Sequence, residues 1–142
     1  MHSKIKGNAG QFAIATCLAE NGFSVFTEEG DISKIDIIAE KNNRLIRIQC
    51  KAITPTNGCI RLVLKKSGPN YSFYYSQSMF DYFGVYDLVN KQCYFVPSSI
   101  LLSNSSCLTL RLDNVKNNQK EKIRYASEFL ISGFLRDYTR DT

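Results

Sequence analysis

The stretch KIDIIAEKNNRLIRIQCK, residues 34–51, decides the fold because it predicts a β-hairpin with polar side chains in unexpected places. Its two apolar segments, Ile35 to Glu40 and Arg44 to Ala52, have the composition and alternation of strands, and a polar turn joins them. Asparagine tolerates positive φ, so Asn42 and Asn43 are predicted to be the two central residues of a tight turn. This turn fixes the register of the hairpin and sets Asp36 opposite Gln49.

Three polar residues of the hairpin form one predicted cluster. Lys51 lies two residues beyond Gln49, so it shares a strand face with Gln49 and is a diagonal neighbour of Asp36. Burying such a group for stability alone is costly. The Asp36 carboxylate, the Gln49 amide oxygen and the Cys50 backbone carbonyl are instead hard ligands suited to Mg²⁺, and Lys51 would stabilise charge on a phosphate. The alternative is a structural ion pair between Asp36 and Lys51.

The positive charge of the chain is concentrated around this hairpin. The net charge is +5, yet residues 41–80 contain no acid and the remainder has 11 bases against 13 acids. The bases of the segment are Lys41, Arg44, Arg47, Lys51, Arg61, Lys65 and Lys66. This concentration predicts a polyanionic partner, and a solvated basic face without a partner is the alternative.

Composition excludes several classes of protein. With 142 residues, 44% hydrophobic and 22% charged, residues 1–142 are predicted to form a single domain. No apolar run approaches the roughly 18 to 20 residues of a membrane helix, and the N-terminus lacks the layout of a signal peptide. Five cysteines without a C-x-x-C pair, and one histidine at position 2, argue against a zinc site. We therefore expect a soluble, cytoplasmic protein in a reducing environment.

The rest of the chain predicts further helices and strands. A helix over residues 4–21 carries Gln11 as the odd polar member of a small, apolar stripe. Strands are predicted at 23–26, 59–66, 84–89, 92–96 and 108–112, and helices at 98–102 and about 121–136. This order is typical of an α/β or an α+β domain, and sequence does not decide between them. Eight of the 17 aromatic residues lie between Tyr71 and Tyr86, and we assign them to the core and a subunit interface rather than to base stacking.

The hairpin residues resemble the motif of the PD-(D/E)xK nuclease superfamily. The motif appears here as Ile35-Asp36, twelve intervening residues, and then Gln49-Cys50-Lys51. Support comes from the helix KGNAGQFAIATCLAENGFSV, the acidic loop before the hairpin, and FGVYDLVNKQCYFVP, which looks like the strand pair after the core in junction-resolvase-like members. Together these segments span residues 4–97. Within the family, the chain resembles the homing endonucleases encoded in group I introns, which also place glutamine at the second acid position.

The resemblance implies a restriction-endonuclease-like core, a mixed β-sheet flanked by helices with a helical C-terminal region. It implies a double-stranded DNA substrate and Mg²⁺, or Mn²⁺ or Ca²⁺ at the same site. The implied catalytic residues are Gln11, Asp36, Gln49 and Lys51, and the implied metal ligands are Asp36, Gln49 and Cys50. The expected DNA contacts are Lys34, Arg44, Arg47, Arg61, Lys65 and Lys66, with Arg61, Lys65 and Lys66 on a ribbon that enters the major groove.

Two positions depart from the family pattern. Ile35 replaces the nominal proline, which does no chemistry. Gln11 stands where relatives have glutamate, so Asp36 is the sole carboxylate among the four implied catalytic residues. The chain is therefore expected to bind DNA and to cleave it poorly.

The predicted function is a site-specific, magnesium-dependent double-strand DNA endonuclease of the intron homing type. Because one subunit has one active site, cutting both strands needs at least a homodimer, and we favour a homotetramer for a long target. The alternatives are a Holliday-junction resolvase or restriction-type nuclease, and a non-catalytic DNA-binding module with a decayed nuclease fold.

Overall fold

The computed structural model describes residues 2–30, 32–113 and 123–140, and within these ranges the chain forms two α-helices and nine strands. The helices are α1 (Ser3–Glu20) and α2 (Ile131–Arg140). The strands are β1 (Ser24–Thr27), β2 (Ile37–Lys41), β3 (Arg44–Ile53), β4 (Cys59–Val63), β5 (Lys65–Gly68), β6 (Tyr71–Tyr74), β7 (Tyr82–Asp87), β8 (Gln92–Pro97) and β9 (Cys107–Arg111). Short 3₁₀ segments lie at Ser98–Ile100 and Ala126–Phe129.

Five strands form the central sheet in the order β1-β2-β3-β7-β8. Neighbouring strands are antiparallel except β3 and β7, which are parallel. Parallel neighbours require a long connection, and here that connection contains β4, β5 and β6. The predicted mixed sheet with flanking helices is confirmed.

The β2–β3 hairpin has the predicted register. Ile37 pairs with Ile48 and Lys41 pairs with Arg44, so Asn42 and Asn43 are the two turn residues. Their φ values of 55° and 63° are those of a type I′ turn, which matches the twist of paired strands. The paired ladder begins at Ile37, so Asp36 lies just before β2 rather than inside the strand that was predicted to begin at 35.

Two hydrophobic cores lie on opposite faces of the central sheet. The helix-side core contains Ile14, Leu18, Phe23, Ile37, Ala39, Ile46, Ile48, Phe95, Phe134 and Tyr138. The core on the other face is called the ribbon-side core, after the two-stranded ribbons β4–β9 and β5–β6. It contains Ile60, Leu62, Leu64, Tyr75, Phe80, Phe83, Val85, Tyr94, Val96, Leu101, Leu110, Ala126 and Phe129. Side chains alternate along β3, so Ile48 faces the helix-side core, whereas Ile53 packs against the ribbon-side core.

Glycines bring α1 close to the sheet. A Cβ atom added at Gly10 would lie 2.8 Å from the Ala52 Cβ, and one added at Gly84 would lie 2.8 Å from the Ile14 Cγ2. These distances are shorter than real Cβ contacts. Both positions therefore require glycine as long as α1 packs this closely on the sheet. The Gly10 contact joins the turn of α1 that carries Gln11 to the end of β3 that carries Lys51.

The Gly10→Ala variant is expected to lower the free energy of unfolding by about 1 to 2 kcal/mol, because overpacking outweighs the gain in helix propensity. Gly7 is the matched control, since a Cβ there meets nothing within 4 Å. Gly7→Ala should raise the free energy of unfolding by about 0.5 to 1 kcal/mol. Urea denaturation measures both, and a stabilised Gly10→Ala protein would contradict the close approach.

The predicted single strand over 59–66 is wrong, because the chain changes partner at Leu64. β4 pairs with β9, whereas β5 pairs with β6 across a hairpin whose turn is Pro69 and Asn70. The Leu64 amide donates to the Ser106 carbonyl and the Leu64 carbonyl accepts from the Tyr75 amide. Leu64 is buried and anchors both two-stranded ribbons to the ribbon-side core.

The predicted C-terminal helix over about 121–136 is replaced by a 3₁₀ segment and a later α-helix. Residues 121 and 122 lie outside the described residues. Leu130 has φ −66° and ψ 159°, an extended conformation that separates the 3₁₀ segment from α2. Tyr138 of α2 donates its hydroxyl to the Lys41 and Arg44 carbonyls, so this helix is fastened to the β2–β3 turn.

Two further observations concern the class of protein. Among the described residues, no helix is both long and apolar enough to span a membrane. The five cysteines have free thiols.

Candidate active site

Asp36, just before β2, is held against β3 by hydrogen bonds of its backbone and its side chain. Its backbone amide donates to the Ile48 carbonyl at 2.9 Å. Its Oδ2 atom accepts two hydrogen bonds, from the Gln49 Nε2 at 3.1 Å and from the Cys50 backbone amide at 2.8 Å. The structure therefore brings the predicted residues Asp36, Gln49 and Cys50 together in one hydrogen-bonded group.

The Gln49 amide leaves a polar atom without a partner. Gln49 is 9% exposed, and its Oε1 is buried without a hydrogen bond in the described part of the chain. An unsatisfied buried acceptor is unfavourable and calls for an explanation such as a ligand. An amide oxygen beside a carboxylate is suited to a hard divalent cation.

The Cys50 thiol is not suited to a metal. Its side chain packs against the helix-side core, and burial, together with the Asp36 charge, raises the pKa of the thiol. The protonated thiol is a poor ligand, so the backbone carbonyl remains the predicted ligand atom. Within residues 2–30, 32–113 and 123–140, no group of three or more His, Cys, Asp or Glu side chains has the arrangement of a metal site. Of the three predicted ligand groups, only the Asp36 carboxylate can carry a negative charge, and the Gln49 and Cys50 oxygens are neutral.

Lys51 lies on the same face of β3 as Gln49, beside Val85 of β7. Its Nζ donates to the Tyr75 hydroxyl at 3.1 Å and lies 4.8 Å from the centre of the Tyr75 ring. Tyr75 is 4% exposed. The sequence did not identify Tyr75, because 24 residues separate it from Lys51 and no local pattern links them.

The position of Gln11 relative to Asp36, Gln49 and Lys51 is set by the packing of α1 on the sheet. It is half-buried on α1, next to Gly10, which contacts Ala52. Ala52 and Lys51 point to opposite faces of β3, so α1 covers the face away from Gln49 and Lys51. The catalytic role of Gln11 stays a prediction.

A cavity of about 290 Å³ opens beside Asp36 and is lined in part by Phe26, Glu28 and Ser33. The Glu28 carboxylate accepts hydrogen bonds from the Ser33 hydroxyl at 2.9 Å and the Ser33 amide at 3.3 Å, and these bonds lower the pKa of Glu28. The cavity therefore has a second carboxylate, that of Glu28, on its wall beside Asp36. Its only signal in the sequence was the acidic composition of this loop.

Some of the basic residues predicted to contact DNA are exposed, and others contact protein groups. Arg61, Lys65 and Lys66 are exposed, with Arg61 on β4 and both lysines on the β5–β6 hairpin. They therefore lie on two ribbons rather than on the one that was predicted. Lys34 is half-buried, with its Nζ 4.9 Å from the centre of the Phe73 ring.

Arg44 and Arg47 make structural contacts. The Arg47 guanidinium forms an ion pair with Asp81, with an Nη2 to Oδ1 distance of 3.2 Å and an Nε to Oδ2 distance of 3.3 Å. Arg44 donates from Nη1 to the Tyr138 carbonyl at 3.2 Å and stacks 4.6 Å from the Tyr138 ring centre. A DNA role for either arginine stays a prediction and would have to coexist with these contacts.

Comparison with known proteins gives a consistent result. A family model described as PD-(D/E)XK endonuclease matches residues 1–132. The structure of a bacterial homing endonuclease, I-Ssp6803I, is similar with a TM-score of 0.76 at 18% identity, covering 99% of this chain and 97% of that one. The crystal structure of MepB covers 99% and 95% at 12% identity, but its TM-score of 0.37 is too low to bear on the fold. No curated protein sequence matches. The chain thus has the same restriction-endonuclease-like fold as I-Ssp6803I.

Proposed function

The chain belongs to the PD-(D/E)XK endonuclease family, and from this premise we propose that it is a site-specific, magnesium-dependent endonuclease of the homing type. Its substrate is double-stranded DNA, in which it hydrolyses phosphodiester bonds. One observation carries the proposal: the Asp36 carboxylate is hydrogen-bonded to Gln49 and Cys50 at the end of the β2–β3 hairpin away from its turn, and Lys51 extends from the same face of β3 as Gln49.

The residues present suit a divalent cation. The Asp36 carboxylate, the Gln49 Oε1 and the Cys50 carbonyl would hold Mg²⁺, with Mn²⁺ or Ca²⁺ as substitutes at the same site, and the unpartnered Gln49 Oε1 supports this ligand set. When bound, such a cation activates water and neutralises charge on the phosphate. Asp36 supplies the only negative charge of the set, since Gln49 is neutral.

Lys51 acts on the phosphate itself. Its ammonium stabilises the negative charge that builds on the phosphorus oxygens during hydrolysis. The hydrogen-bonded partner of Lys51 is the neutral Tyr75 hydroxyl, so the positive charge remains available to the substrate.

DNA binding is assigned to the exposed cations of the two ribbons. The β5–β6 hairpin presents Lys65 and Lys66, and β4 presents Arg61 on the solvent side of its pairing with β9. A two-stranded ribbon fits the major groove, where arginine distinguishes guanine from the other bases. The basic segment 41–80 supplies phosphate contacts, including those assigned to Arg44 and Arg47, and Lys34 adds one from outside this segment.

The Arg61→Ala variant is expected to weaken DNA affinity by about 5- to 150-fold for the preferred sequence and to relax the sequence preference. The matched control is Arg136→Ala, an exposed arginine on α2, which packs on the other face of the sheet. Fluorescence anisotropy with target and scrambled duplexes measures both effects. Equal loss of affinity for all sequences would make Arg61 a phosphate contact instead.

The proposed assembly is a homo-oligomer. One subunit holds one site, so hydrolysis of both strands needs two subunits related by symmetry. We favour a tetramer for a long target and a dimer as the minimum. The free thiols support a reducing, cytoplasmic location.

Selection from a pool of DNA substrates tests the proposed substrate. The protein is incubated with randomised linear duplexes and four-way junctions, and the retained DNA is sequenced. Enrichment of one long duplex target is expected. A short palindrome would favour a restriction-type nuclease, and preference for junctions regardless of sequence would favour a resolvase.

A non-catalytic DNA-binding module is the second candidate. The neutral Gln11 and Gln49 favour it, since they leave Asp36 as the sole carboxylate among the four implied catalytic residues. The ordered Asp36 group and Lys51 argue against it.

A further inference from the structure

We propose that Tyr75 is the positioning residue of Lys51, which it holds in place for phosphate without neutralising its charge. The inference rests on the proposed nuclease function, and it deepens that function by assigning a role to a residue outside the family motif. The hydroxyl of Tyr75 accepts a hydrogen bond from the Lys51 Nζ at 3.1 Å.

Tyr75 is a rigid partner. It is 4% exposed, and its backbone amide donates to the Leu64 carbonyl at 2.7 Å. Its ring packs edge-on against three other rings, with centroid distances of 5.5 Å to Phe73, 5.9 Å to Phe80 and 5.8 Å to Phe83. The hydroxyl position is therefore fixed by the ribbon-side core.

Lys51, by contrast, has a long and flexible side chain that pays rotamer entropy whenever it is held in one geometry. Two contacts with Tyr75 restrict it: the hydrogen bond, and the approach of Nζ to 4.8 Å from the ring centre. A pre-positioned ammonium needs less reorganisation when the phosphate arrives.

The neutrality of the partner is the distinguishing feature. Arg47 lies on the same face of β3, four residues before Lys51, and it is neutralised by an ion pair with Asp81. A phenol hydroxyl accepts a hydrogen bond without cancelling the charge of the donor. Two cations on one strand face thus have different partners, and the cation with the neutral partner is the one in the family motif.

Chemical acylation of Lys51 tests the contact without any need for cleavage. The protein and its Tyr75→Phe variant are treated with limiting acetic anhydride, and the acetylated peptides are quantified by mass spectrometry. Removing the hydroxyl is expected to raise acetylation of Lys51 several-fold, because its amine is no longer held. The exposed Lys91 is the internal reference. Unchanged acetylation of Lys51 would overturn the proposal.

Tyr94→Phe is the matched control, since Tyr94 belongs to the same core and is 6% exposed. This variant removes a tyrosine hydroxyl from a residue of the same core and should leave Lys51 reactivity unchanged. Equal effects of the two variants would show that loosening of the core, rather than the hydroxyl of Tyr75, is responsible. Thermal melts of both variants establish that they are folded.

Single-turnover cleavage in the Gln11→Glu background tests the function of the contact. Tyr75→Phe is expected to slow cleavage about ten- to hundredfold, the effect of a lost hydrogen bond to a charged group, with DNA affinity unchanged. In a protein that also carries Lys51→Ala, Tyr75→Phe should have no further effect on the residual rate. The same loss in both backgrounds would overturn the positioning role. If the Gln11→Glu protein cuts no DNA at all, the proposed function fails, and the acylation result still decides the contact.

Discussion

Replacing Lys51 with alanine is expected to slow DNA cleavage by about 100- to 1,000-fold and to leave DNA affinity nearly unchanged. The reason is that the Lys51 ammonium stabilises charge that develops only in the transition state, so its removal affects the chemical step and not binding. The comparison is made in the Gln11→Glu background, where cleavage is expected to be measurable. Single-turnover rates and equilibrium binding, measured on the same duplex, separate the two effects.

Lys91→Ala is the control for the lost charge. Lys91 is an exposed lysine at the turn between β7 and β8, with no predicted role in binding. Its replacement should leave the cleavage rate unchanged. If Lys51→Ala weakens binding and cleavage by the same factor, Lys51 is a phosphate contact and not a participant in the chemistry.

The Gln11→Glu variant is expected to cleave DNA at least about tenfold faster than the chain as it stands, by analogy with the effect of groups that support metal ligands. A glutamate at this position would add a second carboxylate to the four implied catalytic residues, of which only Asp36 has one, and Mg²⁺ is usually held by one or two carboxylates. The magnesium concentration needed for half-maximal rate should fall at the same time. Cleavage rates over a magnesium titration measure both effects.

Gln92→Glu makes the same chemical change on an exposed residue at the start of β8 and serves as the control. It should not alter the magnesium dependence. An unchanged rate in Gln11→Glu would remove Gln11 from the catalytic group. The packing of α1 on the face of β3 opposite Lys51 would explain that outcome.

The hairpin and its polar cluster were predictable because their chemistry is local. The Asn42-Asn43 turn fixes the register, and the alternation of β3 then determines which side chains share a face. The contact of Asp36 with Gln49 follows from these two facts. Nothing beyond the turn and the strand period was needed to find this group.

Partners that are distant in the sequence could not be predicted in the same way. Tyr75 reaches Lys51 only because the chain changes partner at Leu64, a point at which the sequence continues to alternate like a single strand. The charge pattern identified Arg44 and Arg47 as basic but did not reveal Tyr138 and Asp81 as their partners. Tertiary packing decides these contacts. The alternation of apolar and polar residues indicates which side chains are exposed, but not which distant residues they contact.

The magnesium-dependent cleavage of a library of linear duplexes tests the central claim most directly. The chain and its Gln11→Glu variant are compared, each with and without Lys51→Ala, and the new DNA ends are sequenced. The predicted result is cutting at one long site that is faster with glutamate, requires magnesium and is lost with alanine at position 51. Intact DNA binding without cutting by any of the four proteins would contradict the nuclease account and leave a DNA-binding module as the better explanation.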